Sequence, residues 1–173
     1  MITQYGVLAY DVDKEGRPRF LLITSRSTRR WIIPRGNPMT GLTPARSAAE
    51  EGFEEAGLAG IVSPGAIGSY FYEKKRGGGP GVPAQVHVFP LRVLTQARIF
   101  PEAGQRETRW FAHEEAAAAV DEPALRELIL GFAPPPSAAG QGPVRTIEAP
   151  PLSARIRLLR WLRNVAGRPH PSG

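Results

Sequence analysis

Four glutamates crowd the wrong end of one predicted helix. Thr43-Pro44 offers an N-cap followed by proline at the first helical position, and Gly57 offers a stop, so residues 44–56 are expected to be helical. Within that span, Glu50-Glu51-Gly52-Phe53-Glu54-Glu55 sets its carboxylates against the partial negative charge of the helix C-terminus. Each acid there costs about 0.3 to 1 kcal/mol. The like-charged i,i+4 pairs 50/54 and 51/55 add about 0.2 to 0.5 kcal/mol each. Together this comes to roughly 1 to 4 kcal/mol, against a typical total stability of about 5 to 15. A helix that served only as scaffold would be more stable without them.

Glu51, Glu54 and Glu55 lie at i, i+3 and i+4, which brings them to one helix face, while Ala48, Ala49, Gly52, Phe53 and Ala56 include the packing side. Converging hard oxygen ligands suit a hard divalent cation. Mg²⁺ commonly binds through a few carboxylates while water and substrate phosphate fill its other positions. The competing account is a solvated acidic face. The breaker-rich loop Arg35-Gly36-Asn37-Pro38-Met39-Thr40-Gly41 before the helix, and the placement at its end, weigh against that account.

The rest of the chain interleaves strands and helices. Residues 6–12 and 20–24 read as strands joined through the turn 13–18, and Trp31-Ile32-Ile33 is a short apolar run ended by Pro34. Residues 67–72, 86–93 and 108–111 are further strand candidates, and 113–120 and 123–130 read as helices. This pattern predicts an α/β (α+β) sandwich on a mixed sheet. The folded body, residues 1–132, is expected to end near Phe132, with a Pro/Gly/Ala-rich linker at 133–151. Residues 152–173 are expected to form a basic amphipathic helix and tail, with apolar positions 152, 156, 159, 162 and 165.

Composition removes several classes of function. The chain has no cysteine, which excludes disulfides, thiolate metal sites, iron–sulfur clusters and a cysteine nucleophile. A charged fraction of 22% and the lack of an apolar run of bilayer length argue against disorder throughout and against a membrane-spanning helix. No export signal is evident at Met1-Ile2-Thr3-Gln4-Tyr5, and the expected compartment is the cytoplasm. The net charge of +6 belongs mostly to residues 133–173, which hold six arginines against Glu148 alone. The nearly neutral body gives no strong evidence for nucleic-acid binding. The tail leaves three readings open: docking on a protein surface through residues 152–166, contact with an anionic membrane surface, or disorder.

At the acidic helix the sequence resembles the Nudix hydrolases. Their signature is Gly, five residues, Glu, seven residues, then Arg-Glu-aliphatic-any-Glu-Glu-any-Gly-aliphatic. Gly36, Glu51, Glu54-Glu55 and Gly57-Leu58 match it; Leu42, Glu50 and Gly52 depart from it. Similarity to bacterial members near the diphosphoinositol-polyphosphate and dinucleoside-polyphosphate hydrolases extends through Trp31-Ile32-Ile33-Pro34-Arg35-Gly36, Gly68-Ser69-Tyr70, Val88-Phe89-Pro90-Leu91 and residues 105–111. The resemblance implies a Nudix-type α/β/α sandwich with a loop–helix–loop metal site.

It further implies hydrolysis of a phosphoanhydride bond in a phosphorylated small molecule. Glu51, Glu54 and Glu55, with the Gly36 carbonyl, would hold Mg²⁺ or Mn²⁺, and Glu51 would act as the base, with Glu102 or Glu107 as substitutes. Arg26, Arg29, Arg30 and Arg35, and Lys74-Lys75-Arg76, form basic clusters suited to substrate phosphates. In the family the signature arginine helps hold a metal-binding glutamate. Glu50 in its place, with Leu42, supports an alternative, a weakened module that binds a phosphorylated ligand as sensor or scaffold. An RNA 5′-pyrophosphohydrolase is a third reading. His87, His113, Trp31 and Trp110 are expected to be structural or superficial.

Overall fold

The computed structural model of the chain describes residues 1–75, 79–138 and 142–148. Strands β1 (Ile2–Val12) and β2 (Pro18–Thr24) form the expected hairpin, with Tyr10 opposite Phe20 and Val12 opposite Pro18. Asp13 closes its turn by accepting from the backbone N–H groups of Glu15 at 3.0 Å and Arg17 at 2.8 Å. After β3 (Trp31–Ile32) comes β4 (Arg35–Gly36), which the sequence places in an irregular loop. The structure pairs Arg35 and Gly36 with Gly6 and Tyr5 of β1. The Val7 N–H bonds the Pro34 carbonyl at 3.0 Å and pins the chain there, so the breakers around it do not prevent a two-residue ladder.

Helix α1 (Pro44–Ala56) has the expected bounds. The Thr43 hydroxyl accepts from the Arg46 N–H at 3.3 Å, and Gly57 ends the helix in the left-handed region at φ +70°. Beyond it lie β5 (Leu58–Val62), β6 (Gly68–Lys74), β7 (Val82–Ala97) and β8 (Thr108–Ala112). Helices α2 (His113–Ala119) and α3 (Pro123–Leu130) follow, then a short 3-10 turn at Pro136–Ala138 and β9 (Arg145–Ile147). The sheet runs β3-β2-β1-β7-β5, with β4 on β1, β8 on β2, and β6 and β9 on β7. It is mixed: β1 and β9 are parallel to β7, while β5 and β6 are antiparallel to it.

Three differences from the sequence reading have physical causes. β5 is unexpected because its two glycine-flanked steps break alternation, and its register shifts between Ala59 and Gly60. β7 runs well past residues 86–93 in both directions because it has partners along its whole length. In the segment read as linker, Arg145, Thr146 and Ile147 pair with Thr95, Gln96 and Ala97. The helix expected over residues 152–165, and Arg76, Gly77 and Gly78, lie outside the described residues.

Alternation along the strands produces two cores. Val7, Ala9, Leu21, Ile23, Phe89 and Leu91 face α1 through Ala45, Ala48 and Ala56. Leu8, Tyr10, Phe20, Leu22, Val86 and Val88 face α2 and α3 through Ala116, Leu125 and Ile129. The result is an α/β/α sandwich. Asp11 ties its central strands together, accepting from Arg92 Nη1 at 2.7 Å on β7 and from Arg19 Nη2 at 2.8 Å on β2. Asp11 and Arg92 are both buried. Replacing Asp11 with Ala strands a buried guanidinium and should lower unfolding free energy by about 3 to 5 kcal/mol, as read by urea denaturation. A loss below about 1 kcal/mol would show that this pair does not hold the sheet.

Candidate active site

The β4 ladder and α1 bring the predicted residues together. The Glu51 carboxylate lies against the Cα of Gly36, where any side chain would displace it. One turn on, Glu55 is buried. Its Oε2 accepts from the Arg35 N–H at 3.0 Å, and its Oε1 is ion-paired with Arg106. Arg106 also donates from Nε to Glu102 Oε2 at 3.0 Å and from Nη1 to the Thr24 carbonyl at 3.1 Å. The Glu102 N–H bonds the Glu54 carbonyl at 2.9 Å, which fastens the segment after β7 to the end of α1.

A surplus of negative charge results. Burial, followed by the charges of Glu55, Glu54 and Glu102, pushes the Glu51 carboxyl up to about 8. Burial and the neighbouring Glu50 and Glu102 raise Glu54 to about 7. Burial raises Glu55 to about 7 even against the opposing pull of Arg106. Among the described residues, no three Asp, Glu or His side chains form a group that could enclose a metal ion as they stand.

Arg106 is the functional residue that the sequence reading missed, since it entered only as part of a resembling stretch. Its signal was indirect. With Glu50 at the signature arginine position, a buried glutamate needed a cation from elsewhere, and Arg106 stands four residues after Glu102. Of the two other departures from the signature, Leu42 is exposed and Gly52 is buried in α1.

The predicted cations divide between two places. Arg30, Arg35, Lys74 and Lys75 line a cleft of about 560 Å³ together with Tyr72 and Glu122. The Arg35 guanidinium donates to the Tyr70 hydroxyl at 3.0 Å and lies 4.0 Å from the centre of the Tyr72 ring. Arg35 links this cleft to the acidic helix, since its backbone N–H bonds Glu55. Arg26 stands elsewhere, 3.8 Å from Glu102. Glu107 is joined to Thr24 through its backbone. His113 Nε2 lies 2.6 Å from the Ile129 carbonyl and links α2 to α3, and Trp31 packs edge-on against Phe111.

The chain matches the NUDIX domain family over residues 3–132. Nudix hydrolase 13, mitochondrial, of Arabidopsis thaliana is 30% identical over 114 residues, covering 61% of this chain and 54% of that protein. Nudix hydrolase 21, chloroplastic, of the same plant is 26% identical over 130 residues, covering 73% and 64%. The chain thus spans between half and two thirds of the length of these curated relatives. In fold it is similar to the C. elegans Ap4A hydrolase binary complex, with a TM-score of 0.55 and 20% identity over 75% of this chain and 93% of that one. The E. coli dihydroneopterin triphosphate pyrophosphohydrolase gives 0.54 and 18% over 76% and 94%. With the family match extending over most of its length, from β1 to the end of α3, the chain belongs to the Nudix family.

Proposed function

We propose that this chain is a metal-dependent pyrophosphohydrolase. Its substrate would be a nucleoside-diphosphate-linked or polyphosphorylated small molecule, with diphosphoinositol polyphosphates and dinucleoside polyphosphates favoured. The observation that carries this reading is the acidic wall formed by Glu51, Glu54, Glu55 and Glu102 beside Gly36. Its donor chemistry fits a hard divalent cation, Mg²⁺ or Mn²⁺, held by Glu51, Glu54, Glu55 and the Gly36 carbonyl. Glu55 keeps acceptor capacity while bound to Arg106, since each carboxylate oxygen has two lone pairs. When bound, such a cation neutralises diphosphate charge and makes a water easier to deprotonate.

The chain's own residues do the remainder. Glu51 accepts the proton of the attacking water, Arg106 keeps Glu55 and Glu102 in place, and Arg30, Arg35, Lys74 and Lys75 bind the phosphates. Arg26, beside Glu102, serves a terminal phosphate from the other side. The cytoplasm is the proposed compartment; among the described residues no helix is long and apolar enough to cross a membrane.

Replacing Glu54 and Glu55 together with Gln should abolish Mg²⁺-dependent hydrolysis of a panel of these substrates, followed by product chromatography, with circular dichroism unchanged. Turnover at the original rate would dispose of this site. Arg106→Met should lower metal-dependent turnover about 10- to 100-fold, the usual cost of losing a group that orients a ligand, with partial recovery in Arg106→Lys. An equal rate in all three proteins would show that Arg106 orients nothing.

The metal also has a stability signature. Carboxyls raised in the folded state bind more protons there than in the unfolded chain, so the cation-free protein loses stability as pH rises from about 4.5 towards 8. Mn²⁺ should therefore raise the melting temperature at pH 8 and do little at pH 5. A shift absent at pH 8 would favour the reading as a ligand-binding module without catalysis.

A further inference from the structure

Glu122 is the least explained charge in the molecule. Its side chain is 9% exposed, and neither carboxylate oxygen has a hydrogen-bond partner among the described residues. Arg30 Nη1 comes no nearer than 3.8 Å and instead bonds Asp121 at 3.1 Å. Glu122 occupies the N-cap of α3, yet its side chain caps nothing, and Pro123 at the next position has no N–H to offer. A desolvated carboxylate without donors is costly, and the charges of Arg30 and Arg35 face Glu122 without bonding its oxygens.

Its position suggests the use. Glu122 lines the same cleft as Arg30, Arg35, Tyr72, Lys74 and Lys75. Had this cleft evolved for phosphate alone, a carboxylate in its wall would repel every ligand it holds. Both features are accounted for by a ligand whose phosphates meet the cations and whose uncharged part offers a hydroxyl or amine to the carboxylate. We propose that Glu122 is a specificity-determining residue that accepts hydrogen bonds from a neutral donor on the non-phosphate part of the substrate. The proposal rests on the reading of this cleft as the substrate site and narrows it. Phosphate esters that retain sugar hydroxyls or a base amine are selected, and a ring phosphorylated at every position is disfavoured. A pocket that pairs a buried acceptor with a substrate donor discriminates strongly against analogues lacking that donor.

The test is calorimetric and uses the full chain in EDTA, so that no hydrolysis occurs and the hydrolase reading is not what is measured. The probes are adenosine 5′-(α,β-methylene)diphosphate and methylenediphosphonate, which share the phosphonate group and differ by the nucleoside. Glu122→Leu should weaken the nucleoside probe about 10- to 100-fold, as expected for a lost hydrogen bond to a charged group, with Glu122→Gln in between. Neither variant should weaken methylenediphosphonate. A 2′,3′-dideoxy analogue and an analogue without the exocyclic amine then tell sugar from base, since the analogue that lacks the donor loses its dependence on Glu122. Equal weakening of both probes would show a merely structural role and overturn the proposal. So would affinities unmoved in either variant, or failure of the unaltered chain to bind the nucleoside probe. Thermal unfolding of each variant excludes misfolding, and Glu122→Gln, nearly isosteric, serves if Glu122→Leu does not fold.

Discussion

Too many carboxylates meet at the end of α1 for the protein alone to neutralise. Arg106 pairs with Glu55 and Glu102, while burial first and neighbouring carboxylates second raise the proton affinities of the three helical glutamates. Such a group is relieved by taking up protons or by a cation from outside the chain. The surrounding architecture serves this cluster. β4 presents Gly36 with no side chain so that Glu51 can lie against it, and the segment after β7 returns to deliver Glu102 and Arg106. The two cores hold these pieces from opposite sides of one sheet.

Much of this was legible before any coordinates. The bounds of α1, the β1–β2 hairpin and the two helices after β8 follow from caps, proline positions and alternation, which are local in sequence. The helix face carrying Glu51, Glu54 and Glu55 follows from spacing alone. What escaped depends on long-range pairing. β5 and β9 have no alternation of their own and exist because β7 offers an edge, and β4 exists because Pro34 is tied to Val7. Arg106 belongs to the same class, because its contacts with Thr24 and Glu55 span 82 and 51 residues.

The basic residues teach a related lesson about what charge counting can deliver. Arg26, Arg30 and Arg35 look like one cluster in the sequence, but the β2–β3 connection turns Arg30 towards Asp121 while Arg26 approaches Glu102. Arg35 is divided in function: its backbone N–H holds Glu55, and its guanidinium lines the cleft over Tyr72. Arg35 therefore touches both the acidic cluster and the cleft. Any displacement of β4 would be felt at both.

That coupling bears on the departures from the family signature. In a site that relied on an arginine at position 50, the orienting charge would come from α1 itself and would form with the helix. Here it comes from Arg106, on a segment that must first dock against β2 and α1 through Thr24 and Glu54. The orientation of Glu55 is thereby made conditional on the packing of residues 102–107. Glu50 stands where the signature has arginine, and its charge, after burial, helps to raise the proton affinity of Glu54. The charge beside Glu55 is set by tertiary packing, and it depends on the stability of one docked segment.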